Sequence, residues 1–173
     1  EVNGVKFDGV DDYVSVPADP DLAISGDLTI ETWIYMDRND VIHRYLNSSG
    51  HIYNMKMYPG GDIDFFQNIA GTGDVSQYFD TNLQARKWHH LALTRDVSSH
   101  ELKLYVNGFP FETKTYTGDV STGSDGSLLF GCMEGAHGEF WHGSLREMRI
   151  WNTVRTREEI QQTLAELRSG TFA

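Results

Sequence analysis

The sequence predicts an all-β fold in which two antiparallel sheets pack as a sandwich, with one short C-terminal helix. Three observations carry this. Short segments alternate apolar and polar residues along most of the chain. Turn residues separate them at regular spacing. Only the last stretch, beyond residue 155, changes to a helical period.

The first two segments are VKF at 5–7 and YVSVP at 13–17, divided by an aspartate-rich turn. DLTIETWIY at 27–35 follows, with Leu28, Ile30, Thr32 and Ile34 on one face and Thr29, Glu31, Trp33 and Tyr35 on the other. HIYNMKMY at 51–58 and DIDFFQNI at 62–69 flank Pro59-Gly60-Gly61. WHHLALTR at 88–95 precedes ELKLYVNG at 101–108 and FETKTY at 111–116. Asn107-Gly108 marks the hairpin between the latter two, because both residues tolerate the positive φ of a type I′ turn. SLLFG at 127–131 and SLREMRIW at 144–151 complete the strands. Trp33, Trp88 and Trp151 lie in regular strands and are expected to pack in the core or between the sheets.

The helix has its own signature. Thr156 and Glu159 form a capping box, Ile160, Leu164 and Leu167 a buried stripe, and Gly170 a stop. The absence of a linker or repeat predicts one domain spanning residues 1–173.

Charge narrows the partners. Twenty-five acidic against 14 basic residues give a formal charge of −11. Without a basic cluster, nucleic acid is excluded as a partner, and no apolar run predicts membrane insertion. Cys132 stands alone, so no intrachain disulfide forms and a metal is the only available staple. Asn47-Ser48-Ser49 is a glycosylation sequon, which has meaning only in a eukaryotic secretory route. Glu1 leads directly into a strand pattern, the expectation for a module of a longer chain.

Taken together, FDGVDDYVSVP, LTIETWIY, KWHHLALTRD followed by LKLYVNG, and FWHGSLREMRIWNTVRTREEI resemble the laminin G-like domains of the concanavalin A-like lectin/glucanase superfamily. The resemblance runs from Val5 to about Leu167. It implies a jelly-roll of two curved antiparallel sheets, carbohydrate or protein binding, and frequently a calcium ion at the sandwich edge. It also implies an extracellular or cell-surface location, covalently linked to other domains.

Three site chemistries are weighed against that background. Asp8, Asp11 and Asp12 beside Gly9 offer hard oxygens for calcium, with Asp8 and Asp12 the expected ligands, or they simply form a turn. Family members usually close this edge with an aspartate in a glycine-x-isoleucine-aspartate-glutamate run. Here the run is Gly143-Ser144-Leu145-Arg146-Glu147, so Arg146 is expected to oppose the ion or to pair with Asp8 or Asp12 in its place.

A sugar site needs an aromatic plate ringed by hydrogen-bonding groups. Two segments, read as loops, supply them: His43, Arg44, Tyr45, Asn47 and Tyr53 in 41–53, and Glu134, His137, Glu139, Phe140, Trp141 and His142 in 131–143, with Tyr45, Tyr53, Glu134, His137, Trp141 and His142 the expected ligand contacts. Trp141 is the preferred exposed plate, and the glycines of the second segment are expected to let it adapt to a ligand. Catalysis is the rival class. The Glu-x-Asp-x-x-Glu run of glucanases on this fold is absent, and a zinc set from Cys132, His137, Glu139 and His142 has no standard spacing. The sequence therefore reads as a non-catalytic, carbohydrate-binding module, with a protein-binding adhesion or spacer module as the alternative and a glycan-active enzyme third.

Overall fold

The computed structural model describes residues 4–133, 135 and 138–169, with side chains of the final helix described through residue 165. Two six-stranded antiparallel sheets face one another. The first contains, in spatial order, β1 (Val5–Asp8), β12 (His142–Trp151), β3 (Leu28–Met36), β8 (Trp88–Asp96), β9 (Glu101–Val106) and β10 (Phe109–Thr115). The second contains β2 (Val14–Val16), β11 (Leu128–Phe130), β4 (His43–Ser48), β5 (Asn54–Tyr58), β6 (Asp62–Ile69) and β7 (Gly73–Phe79). The non-sequential order is that of a jelly-roll.

Alternation sets which side chains meet between the sheets. Leu28, Ile30 and Ile34 of β3 pack with Leu91 and Leu93 of β8 and with Met55, Met57 and Phe65 of the opposite sheet. Asn107 and Gly108 have φ of 54° and 81° and join β9 to β10 in a two-residue turn. The hairpin signal in the sequence is thus realised.

Two strands depart from the expected pattern. Residues 43–48, read as loop, form β4, and residues 73–79 form β7, an edge strand. Only Val75 and Phe79 mark the inner face of β7, and its outer positions are Asp74, Ser76 and Tyr78. That alternation is too polar for hydrophobic periodicity to detect.

The helix α1 (Arg157–Ser169) packs on the outer face of the first sheet, where Ile160 meets Ala92 and Tyr105. Its capping box forms: Thr156 Oγ1 accepts from the Glu159 amide at 3.3 Å, and Glu159 Oε2 accepts from the Thr156 amide at 2.7 Å. Arg155 ties this corner down by pairing with the buried Glu31 and donating to Thr163 Oγ1. The Leu167 side chain and Gly170 lie outside the described residues. No helix among the described residues is long and apolar enough to cross a membrane.

The expected core placement of the tryptophans needs correction. Trp33 is buried, but on the outer face of its sheet beneath Arg146, with Trp88 on the other side of that guanidinium. Trp151 is exposed, under the Arg155 guanidinium at 4.3 Å.

Candidate functional site

The open face of the second sheet carries a dense set of polar and aromatic groups. Across β4, β5, β6 and β7, residues Arg44, Lys56, Phe66, Asp74 and Ser76 project outward. With His51 and Met133 they line a cleft of about 450 Å³. A bulge in β4 creates this arrangement. Its register with β5 shifts between Arg44 and Leu46, so Tyr45 and Leu46 both enter the core while Arg44 points outward.

Met133 and Glu139 close one side of the cleft. Glu139 Oε2 accepts from Arg44 Nε at 2.8 Å and from Nη2 at 2.6 Å, while Arg44 Nη1 donates to Asn47 Oδ1 at 3.1 Å. The guanidinium also lies 4.8 Å from the Phe66 ring centroid. Lys56 Nζ sits 5.1 Å above the same ring, 5.0 Å from the Tyr58 ring and 3.6 Å from Asp64 Oδ2. On the far wall, His51 Nδ1 donates to Asp74 Oδ2 at 2.8 Å, and Asn68 donates to Asp74 Oδ1.

The carboxylates differ in electrostatics. Burial alone would raise the Asp74 carboxyl, but hydrogen bonds from Asn68 and His51 hold it below its ordinary value. Burial pushes the Asp64 carboxyl above its ordinary value, against the pull of Lys56. This balanced set of fixed donors and acceptors beside aromatic rings suits a neutral polyhydroxylated ligand, because sugar hydroxyls both donate and accept.

The sequence-predicted sugar residues are placed differently. Trp141 has 0% exposure and packs edge-to-face on Tyr45 and His43 at 5.5 and 5.7 Å between ring centroids. Tyr45 and Tyr53 are equally buried, and the Tyr53 hydroxyl donates to the Leu22 carbonyl at 2.6 Å. None of the three offers a face to a ligand. His142 opens β12 with Nε2 3.5 Å from Asp37 Oδ2 and does not line the cleft. Glu134 and His137 lie outside the described residues.

The two segments nevertheless meet, through Arg44 with Glu139 and through His43, whose Nδ1 donates to the Phe140 carbonyl at 2.9 Å. Burial lowers the His43 pKa and keeps the ring neutral. Gly131 is not a freely adapting residue: with φ of 89°, a Cβ there would lie 2.4 Å from the Phe7 ring. Residues of β5, β6 and β7 were missed because their outward positions look like ordinary strand polarity. The lysine between two aromatic positions on paired strands was the one available signal.

Of the zinc set, Cys132 is buried, and burial raises its thiol against the pull of Arg44, the same guanidinium that holds Glu139; His142 lies against Asp37 instead, and His137 is outside the described residues. Asn47 of the sequon is buried and hydrogen-bonded to Arg44, which closes it to modification in the folded chain.

The acidic turn follows β1. Asp8, Asp11 and Asp12 are exposed, and each brings a carboxylate oxygen within 4.8 Å of the others. Asp8 Oδ1 accepts from the Val10 amide at 2.8 Å, and Asp12 Oδ2 accepts from the Asp8 amide at 2.9 Å. The Val10 amide holds the Asp8 carboxyl below its ordinary value. Gly9 is required here, since with φ of 78° a Cβ would sit 2.7 Å from that of His142. The hard-oxygen donors match calcium chemistry, yet three carboxylates provide fewer than its usual six to eight ligands, and the turn is already satisfied by its own amides.

Arg146 neither pairs with these acids nor faces them. Its guanidinium lies 4.6 Å from the Trp33 ring centroid and 4.7 Å from that of Trp88, and it forms no ion pair among the described residues. The expected pairing of Arg146 with Asp8 or Asp12 is therefore not formed. The bulge between Arg146 and Arg149, with Glu147 at φ 53°, re-aims this part of β12.

The fold recurs among solved structures of low identity. The receptor binding domain of botulinum neurotoxin mosaic serotype C/D is 16% identical, with a TM-score of 0.77 over 94% of this chain and 42% of that one. This chain thus spans less than half the length of the botulinum structures it matches. The CBM40 of the Ruminococcus gnavus IT-sialidase, bound to α2,3 sialyllactose, is 16% identical with a TM-score of 0.75, over 94% of this chain and 96% of that one. The SAP-like pentraxin of Limulus polyphemus is 15% identical with a TM-score of 0.67, over 93% and 81%. Among curated proteins, no sequence matches this chain. Residues 8–161 match the laminin G-like family model described as the concanavalin A-like lectin/glucanases superfamily, and to that family, in sequence and in its paired six-stranded sheets, the chain belongs.

Proposed function

We propose that this domain is a non-catalytic carbohydrate-binding module of a larger secreted or cell-surface protein, and that the open face of its second sheet holds the glycan. The observation that carries this reading is the cleft of about 450 Å³ in which Arg44, Lys56, His51, Asp74 and Ser76 surround Phe66. Its fixed polar groups are already oriented by neighbours, so little ordering entropy is lost on binding. A sialyllactose-bound module of the same fold, aligned over nearly its whole length, supports the reading.

A binding role fits the carboxylates better than catalysis. Glu139 is engaged by Arg44, and Asp74 by His51 and Asn68, so both carboxylates are already committed to neighbours within the domain. Asp64 has the raised pKa of a general acid, but it is buried beneath Lys56 and Ser76.

A protein-binding adhesion module is the second reading, favoured by one observation. Between β1, β12, β2 and β11, Phe7, Phe130 and Leu145 line a small apolar cleft of about 150 Å³ beside the exposed Val5 and Val14.

A printed glycan array, screened with calcium and with chelator, separates these readings. The wild type is expected to bind a restricted set of glycans. Lys56→Met keeps the stem over Phe66 and Tyr58 but removes the ammonium donors, and should weaken binding roughly tenfold or more with melting unchanged. A blank array combined with a protein captured through the Val5 edge would replace the proposal with the second reading.

Calcium belongs to the proposal as a structural ion at the acidic turn, with Asp8 and Asp12 as ligands beside Asp11. Calcium should then raise the melting temperature and chelator lower it, both responses vanishing in Asp12→Ala. A melting temperature indifferent to both removes the ion and leaves the aspartates as turn-formers.

A further inference from the structure

The cleft does not end at β5. Lys56, which lines it, also lies 5.0 Å from the Tyr58 ring. Tyr58 in turn packs edge-to-face on Tyr78 of β7, with 5.4 Å between ring centroids. Tyr78 then forms the near wall of a second open cleft of about 470 Å³, shared with Asp80, Phe111, Glu112 and Lys114. Tyr78 is 42% exposed and Phe111 45%, so both rings offer surface to a ligand in the same cleft.

From these contacts we infer that the two clefts are ends of one binding track, and that its ligand is an extended oligosaccharide chain rather than a single terminal sugar. This rests on the carbohydrate reading of the first cleft. Three strand spacings separate β4 from β7, about 14 Å, and the second cleft extends the path to β10. Such a path accommodates several linked rings. Its composition is that of a sugar platform: aromatic faces alternate with Lys56, Asp62, Asp80 and Lys114 as hydrogen-bonding partners, and the Tyr78 hydroxyl is fixed by Asp62 Oδ2 at 2.8 Å. A peptide strand added to the β7 or β10 edge would run along the strands and leave Arg44, Lys56 and Phe66 uncovered, whereas the track crosses β4 to β7 and joins both clefts.

The test uses an array carrying matched di- to octasaccharide series of β-glucans, xylans, mannans, chitin and sialylated lactosamines, followed by calorimetry on the strongest series. Affinity should rise with chain length. Phe111→Ala should lower the affinity for the longest member about three- to tenfold, the scale of losing one aromatic contact. The shortest bound member should be unaffected, whereas Lys56→Met weakens every length. Affinity that saturates at a disaccharide, or a Phe111→Ala variant that binds long chains as the wild type does, overturns the extended track while the glycan reading stands. A blank across all series overturns both.

Discussion

Trp141→Ala is expected to destabilise the domain by about 3–5 kcal/mol, lowering the melting temperature on the order of 10 °C. The indole has 0% exposure and packs on His43 and Tyr45 just before β12 begins. Its backbone amide donates to the Gly131 carbonyl at 2.8 Å, which fixes the approach to β12. Removing the ring opens a cavity among aromatic neighbours that cannot collapse freely. Since the indole N–H has no hydrogen-bond partner among the described residues, Trp141→Phe should cost much less. Equal losses in both variants by chemical denaturation would contradict a packing role. A Trp141→Ala variant that melts like the wild type would return Trp141 to the surface.

Arg95 produces the second large effect. It occupies the inner face of β8, has 0% exposure and forms no ion pair among the described residues. Nε donates to the Gly26 carbonyl at 3.0 Å, Nη1 to the Ile52 carbonyl at 2.7 Å and to Gln67 Oε1 at 3.1 Å, and Nη2 to the Ile24 carbonyl at 2.7 Å. One planar group thus joins the approach to β3, the approach to β5 and the middle of β6, binding the two sheets at one end. Burial pushes its pKa down to about 10, so it remains charged at neutral pH.

Arg95→Met removes that donor from four oxygens at once and should cost at least about 3 kcal/mol. Arg95→Lys should lose most of the same stability, because a single ammonium cannot reach three directions. Urea denaturation reads this as a lower midpoint with an unchanged slope. A loss under about 1 kcal/mol for Arg95→Met would mean that these oxygens find water instead.

Much of the architecture was legible because local chemistry and tertiary packing agree. The Asn107-Gly108 turn, the Thr156–Glu159 box and the Leu28, Ile30 and Ile34 stripe depend on short-range rules that the sandwich leaves intact. The site was harder to read for a specific reason. Period-two parity assigns neighbouring residues to opposite faces, but the β4 bulge sends both Tyr45 and Leu46 inward and leaves Arg44 pointing outward. Nothing in VIHRYLNS announces a bulge. The 131–143 glycines read as flexibility, whereas Gly131 is held against Phe7. Arg146 was read against a motif rather than its neighbours, and stacking between Trp33 and Trp88 could be found only once β3, β8 and β12 were placed side by side.

The central claim is that the open face of the second sheet holds a glycan, and nuclear magnetic resonance mapping tests it most directly. The isotope-labelled domain is titrated with the strongest oligosaccharide from the array, and backbone amide shifts are followed. The account predicts perturbations concentrated at Arg44, Lys56, Phe66 and Ser76, reaching Tyr78 for long chains, with the β1 turn at Asp8–Asp12 silent. Shifts confined to the Val5 and Val14 edge, or absent from β4 through β7 while binding is measurable, would contradict it.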